Sequence, residues 1–155
     1  MARIYVLQGA GNKGKSITLI KLCINLEIKN NINPVHQIMY SPSNHVIDIK
    51  VILPNIRTQN GGIVTVGITS HGDDHIRLKK EINDFLTNNC DIIFCPCHLK
   101  GSTVIAVNSF RRNNTIDFTQ QVIQNNTYNV PNTNNSMQNN CNDCMACHLI
   151  DKAGL

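Results

Sequence analysis

Strand-like apolar runs and helix-like apolar spacing alternate along most of the chain. A β-branched run over residues 4–7 ends at Gly9, and apolar residues then recur at helical spacing from Ser16 to Ile28. A polar helix with one apolar side is expected after Asp73. Residues 91–97 contain several apolar residues in succession, as in a strand that is covered on both faces. This alternation predicts an α/β fold.

Two further β-rich runs are expected between the first two helices. They span residues 46–53 and 63–69, and the turn residues Asn60-Gly61-Gly62 lie just before the second run. This turn chemistry predicts that the two strands pair in an antiparallel manner. Pro34 and Pro42 predict a loop that reaches about residue 45.

The last third of the chain predicts a short helix, a loop and a long helix. The short helix should start at Gly101 and run to about Arg112, and the Asn- and Thr-rich residues 125–140 predict a mobile loop. A C-terminal helix is expected over 136–152. Its predicted apolar stripe consists of Met137, Cys141, Cys144, Met145, His148 and Leu149.

Length and composition limit the class of protein. The 155 residues suit one domain covering 1–155, with 41% apolar residues to form its core. Uninterrupted apolar runs fall far short of the roughly 20 residues that span a bilayer. Gly and Lys follow the first apolar run where a secretory signal would need an apolar stretch, so we expect a cytoplasmic protein without a membrane partner. A net charge of +4 is too small to indicate nucleic acid.

The most specific motif lies between the first predicted strand and helix. The sequence GAGNKGKS, residues 9–16, matches the pattern G-x-x-x-x-G-K-[ST]. Its glycines let backbone N–H groups approach phosphate, its lysine reaches the β- and γ-phosphates, and its serine offers a hydroxyl to Mg²⁺. The predicted phosphate-binding residues are Gly9, Ala10, Gly11, Asn12, Lys13, Gly14, Lys15, Ser16 and Ile17.

In this motif the chain resembles the P-loop NTPases. The segments VGITSHGDD and CDIIFCPCHLKGST are also similar to those of small, mostly uncharacterised bacterial and phage P-loop ATPases. The resemblance implies a three-layer α/β/α P-loop NTPase fold, with a mainly parallel sheet that includes the antiparallel strand pair. It also implies that ATP and Mg²⁺ bind at the carboxyl ends of the strands. It does not imply a second substrate.

A P-loop enzyme also needs a carboxylate that orients Mg²⁺ or its water shell. Asp73 and Asp74 are the candidates, with Asp73 as the predicted Mg²⁺ residue beside Ser16. An equally weighted alternative is that Asp73 caps the following helix and Asp74 is solvated. Asp48 and Asp91 lie near the starts of predicted strands, which would place them at the edge of the sheet away from the nucleotide.

A second candidate group follows the strand at 91–97. Residues 98–103 should lie at the carboxyl edge of the sheet, where Lys100 could neutralise charge that develops on a transferred phosphoryl group. The alternative is an ordinary loop with a Ser or Thr helix cap. His71 and His75, which flank the Asp pair, are predicted to face solvent rather than act in catalysis.

The C-terminal sequence CNDCMACH allows two interpretations. Cys141, Cys144, Cys147 and His148 could bind a metal only if all four converged, whereas helical spacing turns Cys147 and His148 to different faces. We therefore favour thiols on a helix, with Cys141, Cys144 and His148 near its buried stripe and Cys147 exposed.

Together these features predict Mg²⁺-dependent binding and hydrolysis of a nucleoside triphosphate. ATP is favoured because the chain lacks an N/T-K-x-D sequence of the guanine-recognition type. The predicted catalytic residues are Lys15, Asp73, Asp74 and Lys100. Two alternatives stay open: a small-molecule or nucleotide kinase, and a non-catalytic nucleotide-binding adaptor subunit of a phage or defence assembly. A protein partner or a homo-oligomer is compatible with each.

Overall fold

A computed structural model describes residues 1–10, 14–32, 35–40, 46–121 and 134–155. These residues form six strands and four helices. In chain order the elements are β1 (Arg3–Gln8), α1 (Lys15–Asn30), β2 (Val35–Tyr40), β3 (Val46–Arg57), β4 (Ile63–Thr69), α2 (His75–Thr87), β5 (Ile92–Cys97), α3 (Ser102–Asn108), β6 (Thr115–Gln120) and α4 (Asn134–Ala153). The predicted α/β alternation is confirmed.

The described strands form one mixed sheet in the order β2-β3-β4-β5-β1-β6. Strand β1 pairs in parallel with β5 and β6, and β4 pairs in parallel with β5. Strand β3 runs antiparallel to β4, as the Asn-Gly-Gly turn predicts, and β2 is antiparallel to β3 as well. The sheet therefore contains two antiparallel pairings where the sequence predicted one.

The two edge strands were missed by the sequence interpretation. Residues 35–40, predicted as loop, form β2, and 115–120 form β6, for which no element was predicted. Strand β3 supplies the backbone hydrogen-bond partners of β2, and β1 supplies those of β6. These edge segments can therefore form strands although their own β-propensity is weak. Helix α3 also ends at Asn108, earlier than the predicted Arg112, and tight turns follow it.

Helices cover both faces of the sheet and produce two apolar cores. One core joins α1 and α4 to β1, β3, β4 and β5, and the other joins α2 and α3 to the opposite face. The observed arrangement therefore has three layers. No helix in the described part of the chain is long and apolar enough to cross a membrane.

Helical spacing predicted the helices but not always their buried faces. In α1 the buried apolar side chains include Leu19, Leu22 and Leu26, whereas Ile17 and Ile28 of the predicted stripe are exposed. The prediction was better for α2, where three of the five apolar positions expected on one side, Ile76, Leu78, Ile82, Phe85 and Leu86, are fully buried. These are Leu78, Ile82 and Phe85.

Helix α4 begins at Asn134, so the prediction of a loop was wrong over residues 134–140, while residues 125–133 lie outside the described part of the chain. Within residues 140–153 of α4 the buried positions are Asn142, Met145, Ala146, Leu149, Ile150 and Ala153. Cys144 and His148 are exposed, which contradicts the predicted stripe, and Cys141 is half-buried. Cys147 is exposed as predicted. The helix packs on α1 as well as on the sheet, and this double contact sets its rotation.

Candidate functional site

The chain leaves two neighbouring parallel strands toward opposite faces of the sheet. After β1 it enters α1 on one face, and after β5 it enters α3 on the other. Such a point, where connections diverge at the carboxyl ends of adjacent strands, leaves a crevice in which open α/β sheets bind ligands. Residues 9, 10 and 14–16 lie at this point.

The described part of the 9–16 loop is held by the neighbouring strand and by α4. The Gly9 N–H donates to the carbonyl of Cys97 at 3.1 Å, which extends the pairing of β1 with β5. Gly14 has φ 82° and ψ 6°, a left-handed conformation that glycine adopts without strain, and it is the N-cap of α1. Gly11, Asn12 and Lys13 of the predicted phosphate loop lie outside the described residues.

Lys15 is the central cation of the site. Its side chain is buried, and its ammonium donates hydrogen bonds to the carbonyl oxygens of Gly9 and Ala10 at 3.0 and 2.6 Å. Burial lowers the pKa of Lys15 below its usual value, and the negative charge of Asp73 partly opposes this shift. The lowered pKa shows that burial disfavours the charged ammonium, and an anionic ligand beside it would offset this cost.

Ser16 is connected to a carboxylate by a chain of hydrogen bonds. Its hydroxyl donates to the backbone carbonyl of Ser70 at 3.2 Å, and the Ser70 hydroxyl donates to Asp48 Oδ1 at 2.8 Å. The backbone N–H of Ile49 donates to the same Ser70 hydroxyl at 2.9 Å. These contacts hold the end of β4, the start of β3 and the start of α1 together.

The placement of Asp48 corrects the sequence interpretation, which put it at the far edge of the sheet. Asp48 does lie at a strand start, but β3 is antiparallel, so its start lies at the edge where β4, β5 and β1 end. The predicted antiparallel turn already contained this signal. Asp91 does lie at the opposite edge, where its carboxylate accepts from the Thr65 N–H at 2.9 Å.

The two acidic residues of the HGDD sequence have different contacts. Asp74, not Asp73, caps α2, since its Oδ1 accepts from the N–H groups of Ile76 and Arg77 at 2.8 and 3.3 Å. The predicted cap was therefore one residue early. The Asp73 side chain is 90% exposed and lies 3.3 Å from His98 Nε2.

His71 is buried, so the prediction that it faces solvent was wrong, whereas His75 is exposed as predicted. The Nδ1 of His71 lies 2.9 Å from Glu81 Oε1, and the Thr69 hydroxyl donates to Glu81 Oε2. Burial by itself would raise the pKa of Glu81, but the hydrogen bonds from His71 and Thr69 outweigh it and hold this pKa below its usual value. No local sequence pattern indicated this buried pair.

The loop after β5 is partly ordered by hydrogen bonds. The His98 N–H donates to the Thr103 hydroxyl oxygen at 3.1 Å, and Gln8 Nε2 donates to the Leu99 carbonyl at 3.1 Å. The predicted Ser or Thr cap of α3 was wrong, because Gly101 is its N-cap and no side chain of the described residues caps the helix, although the Thr103 hydroxyl does bind the loop before it. Lys100 is exposed and is not among the residues that line the cavity described next, so its role stays a prediction.

These residues surround an open cavity of about 600 Å³, within the size range of small-molecule sites. Its walls carry both signs of charge. The lining residues are Gly14, Lys15, Ser16, Ile17, Asp48, Ser70, His71, Gly72, Asp73, Asp74, Arg77 and Pro96. The structure therefore brings the lysine and serine of the motif together with the HGDD segment and with Asp48.

The cysteines are not among the residues that line the cavity, and four of them have buried side chains. Cys97 is buried beside the loop, and burial raises its pKa to about 11 although Lys15 acts in the opposite direction. Within the described ranges, no group of three or more His, Cys, Asp or Glu side chains is arranged to hold a metal ion. Cys141, Cys144 and Cys147 have free thiols.

Comparison of the chain with protein-family models, with curated proteins and with solved structures found no match. The site is therefore interpreted from its own geometry and chemistry.

Proposed function

We propose that this protein binds a nucleoside triphosphate, with ATP as the expected nucleotide, together with Mg²⁺, and hydrolyses it. The observation that carries the proposal is the buried ammonium of Lys15, which lies at the N-terminus of α1 and lines an open cavity. Within the described residues it donates hydrogen bonds to two neutral carbonyls of its own loop. A phosphate oxygen would be a stronger partner because the hydrogen bond would join opposite charges.

The start of α1 supports the same ligand. In the described part of the chain no side chain caps this helix, and its first turn has no acidic residue. The first backbone N–H groups of a helix lack intrahelical acceptors, and the helix dipole adds partial positive charge at this end. An anion bound here would accept from these groups and from Lys15 together.

The carboxylates in the cavity support a cation beside that anion. Asp48 and Asp73 line the same cavity as Lys15, and a bare triphosphate would be repelled by them. Mg²⁺ prefers oxygen ligands, keeps several waters and uses few protein carboxylates when phosphate supplies the rest. The Ser16 hydroxyl and the nearby carboxylates fit this preference. When bound, Mg²⁺ would neutralise charge on the β- and γ-phosphates.

Hydrolysis requires little covalent chemistry from the protein. A water oxygen bonds to the γ-phosphorus while the bond from phosphorus to the bridging oxygen breaks, giving the diphosphate, inorganic phosphate and a proton. Lys15 would hold the phosphate oxygens in place and stabilise their charge, and Ser16 would position the cation.

Calorimetric titration with ATP and MgCl₂ tests the proposal, with Lys15→Ala as the variant. Losing a charge-assisted hydrogen bond costs about 1.5–3 kcal/mol, so the affinity should fall roughly 10- to 150-fold. Lys29→Ala is the matched control, because Lys29 is exposed in the last turn of the same helix and should bind normally. Equal affinity in wild type and Lys15→Ala would contradict the proposed site.

A phosphate-release assay on the nucleotide that binds separates the reaction classes. Release of inorganic phosphate that saturates with nucleotide and is lost in Lys15→Ala supports hydrolysis. Tight binding without release would instead favour the adaptor alternative.

A further inference from the structure

Asp48 reaches the candidate site from a strand that runs against its parallel neighbours. Register pairs Lys50 with Thr69, so Asp48 comes level with the residues that follow β4. Its side chain is 28% exposed and lines the cavity beside Ser16. A carboxylate that is partly buried yet open to the cavity can contact a ligand without being fully solvated.

An unsatisfied nitrogen lies next to this carboxylate. The side chain of His71 is only 6% exposed, and its Nε2 makes no hydrogen bond within the described residues while lying 3.6 Å from Asp48 Oδ2. The other ring nitrogen faces the carboxylate of Glu81, which can only accept when ionised. In the neutral ring Nδ1 therefore carries the proton, and Nε2 is an acceptor directed at a second acceptor.

With a neutral ring, these two adjacent acceptors at the wall of the cavity receive no hydrogen bond from each other, and a donor from a ligand could serve them. Water molecules around a hydrated cation are such donors, because Mg²⁺ keeps several of its waters and their hydrogens point outward. The Ser70 hydroxyl donates to the other carboxylate oxygen of Asp48, Oδ1. The backbone carbonyl of Ser70 accepts from the hydroxyl of Ser16, the residue expected to hold the ion. The Asp48 carboxylate is thus held through Oδ1, and Oδ2 faces His71 Nε2.

We propose that Asp48, rather than Asp73, is the carboxylate that holds the hydrated Mg²⁺ of the bound nucleotide, with His71 Nε2 as a second acceptor for its waters. This inference rests on the proposed nucleotide site. The contacts of the other two acids support the choice. One oxygen of Asp74 already accepts two backbone N–H groups of α2, and Asp73 is almost fully exposed.

The test measures how much Mg²⁺ strengthens the binding of a non-hydrolysable ATP analogue. Calorimetric titrations are made with excess MgCl₂ and with EDTA, and the ratio of the two affinities is the readout, so no turnover is needed. Asp48→Asn should reduce this ratio about 10- to 100-fold, as is typical for residues that orient a metal site. Asp73→Asn should reduce the ratio less than Asp48→Asn does, because an exposed group is strongly screened by solvent. Asp91→Asn is the matched control and should stay within about twofold of wild type, because Asp91 lies at the opposite edge of the sheet and an Asn there keeps an oxygen that can accept from the Thr65 N–H.

Asp48→Asn keeps an oxygen that can accept from Ser70, so the fold should survive, and a thermal melt checks this. If it does not fold, Asp48→Glu takes its place, since it keeps the charge but moves the carboxylate by one methylene. An unchanged ratio in the Asp48 variant, or an equal loss in Asp73→Asn, overturns the inference. Wild-type protein that binds the analogue without any effect of Mg²⁺ also overturns it while the nucleotide site stands. Absence of binding under both conditions would overturn the proposed function itself.

Discussion

Gly14→Ala should destabilise the protein because the new methyl group has no room beside α4. A Cβ built on Gly14 lies 2.6 Å from Asn142 Oδ1 and 3.0 Å from its Nδ2. The Asn142 side chain is fully buried, so it cannot swing into solvent. Either the loop before Lys15 or the amide of Asn142 must move.

Two separate costs add to the expected loss of stability. The left-handed conformation at φ 82° costs an L-residue about 1–2 kcal/mol. Displacing the Asn142 amide breaks the bond that Gln121 Nε2 donates to its Oδ1 at 3.0 Å and weakens the contact from the Thr18 hydroxyl at 3.3 Å. Leaving a buried polar group unsatisfied costs about 1–3 kcal/mol, so the total should be about 2–5 kcal/mol.

Urea unfolding of Gly14→Ala and of a matched control, Gly61→Ala, separates these two costs. Gly61 has the same φ of 82°, but a Cβ there meets nothing within 4 Å. The control should therefore lose about 1–2 kcal/mol from backbone strain alone. The further loss in Gly14→Ala reports the contact with Asn142. If the nucleotide site is as proposed, ATP affinity should also fall in Gly14→Ala and not in Gly61→Ala.

Equal losses of stability in the two variants would refute the packing argument. The double variant Gly14→Ala/Asn142→Ala provides a second check, because removing the amide also removes the clash. Its destabilisation should be smaller than the sum of the two single effects, as expected for residues in contact. Strict additivity would show that the methyl group and the amide do not meet.

Three further predictions concern the surroundings of the site. Asp74→Ala should cost about 1 kcal/mol in urea unfolding because it removes the cap of α2, and Asp73→Ala should cost less than half of that. The pKa of Glu81 is lowered in the folded state, so its ionised carboxylate stabilises the protein above its usual pKa of 4.5, and this contribution is lost as the pH falls below that value. The difference in stability between wild type and Glu81→Gln should therefore shrink on acidification. Thermal melts at a series of pH values would show this. A thiol reagent should label Cys144 and Cys147 in the native protein and the buried thiols only after unfolding, as counted by mass spectrometry.

Much of the fold was accessible from local patterns in the sequence. The run at 4–7, the GAGNKGKS loop and the apolar spacing that follows predicted a strand, a turn and a helix, and the structure has β1 and α1 there. The Asn-Gly-Gly turn predicted the antiparallel pairing of β3 with β4. These features depend on residues close in sequence, because turn conformation and the periods of helix and strand are local properties.

The tertiary structure decided which of these residues meet. Asp48 belongs to the candidate site because β3 runs against β4; the predicted turn indicated this reversal, but the parallel pairing of β4 with β5 decided that the start of β3 reaches the edge of the site. His71 is buried because Glu81 on α2 and Thr69 at the end of β4 supply its polar partners. The rotation of α4 places Asn142 rather than Cys144 at the buried face. Each outcome depends on contacts between different elements, whose packing and hydrogen bonding override what the helix or strand period alone would favour.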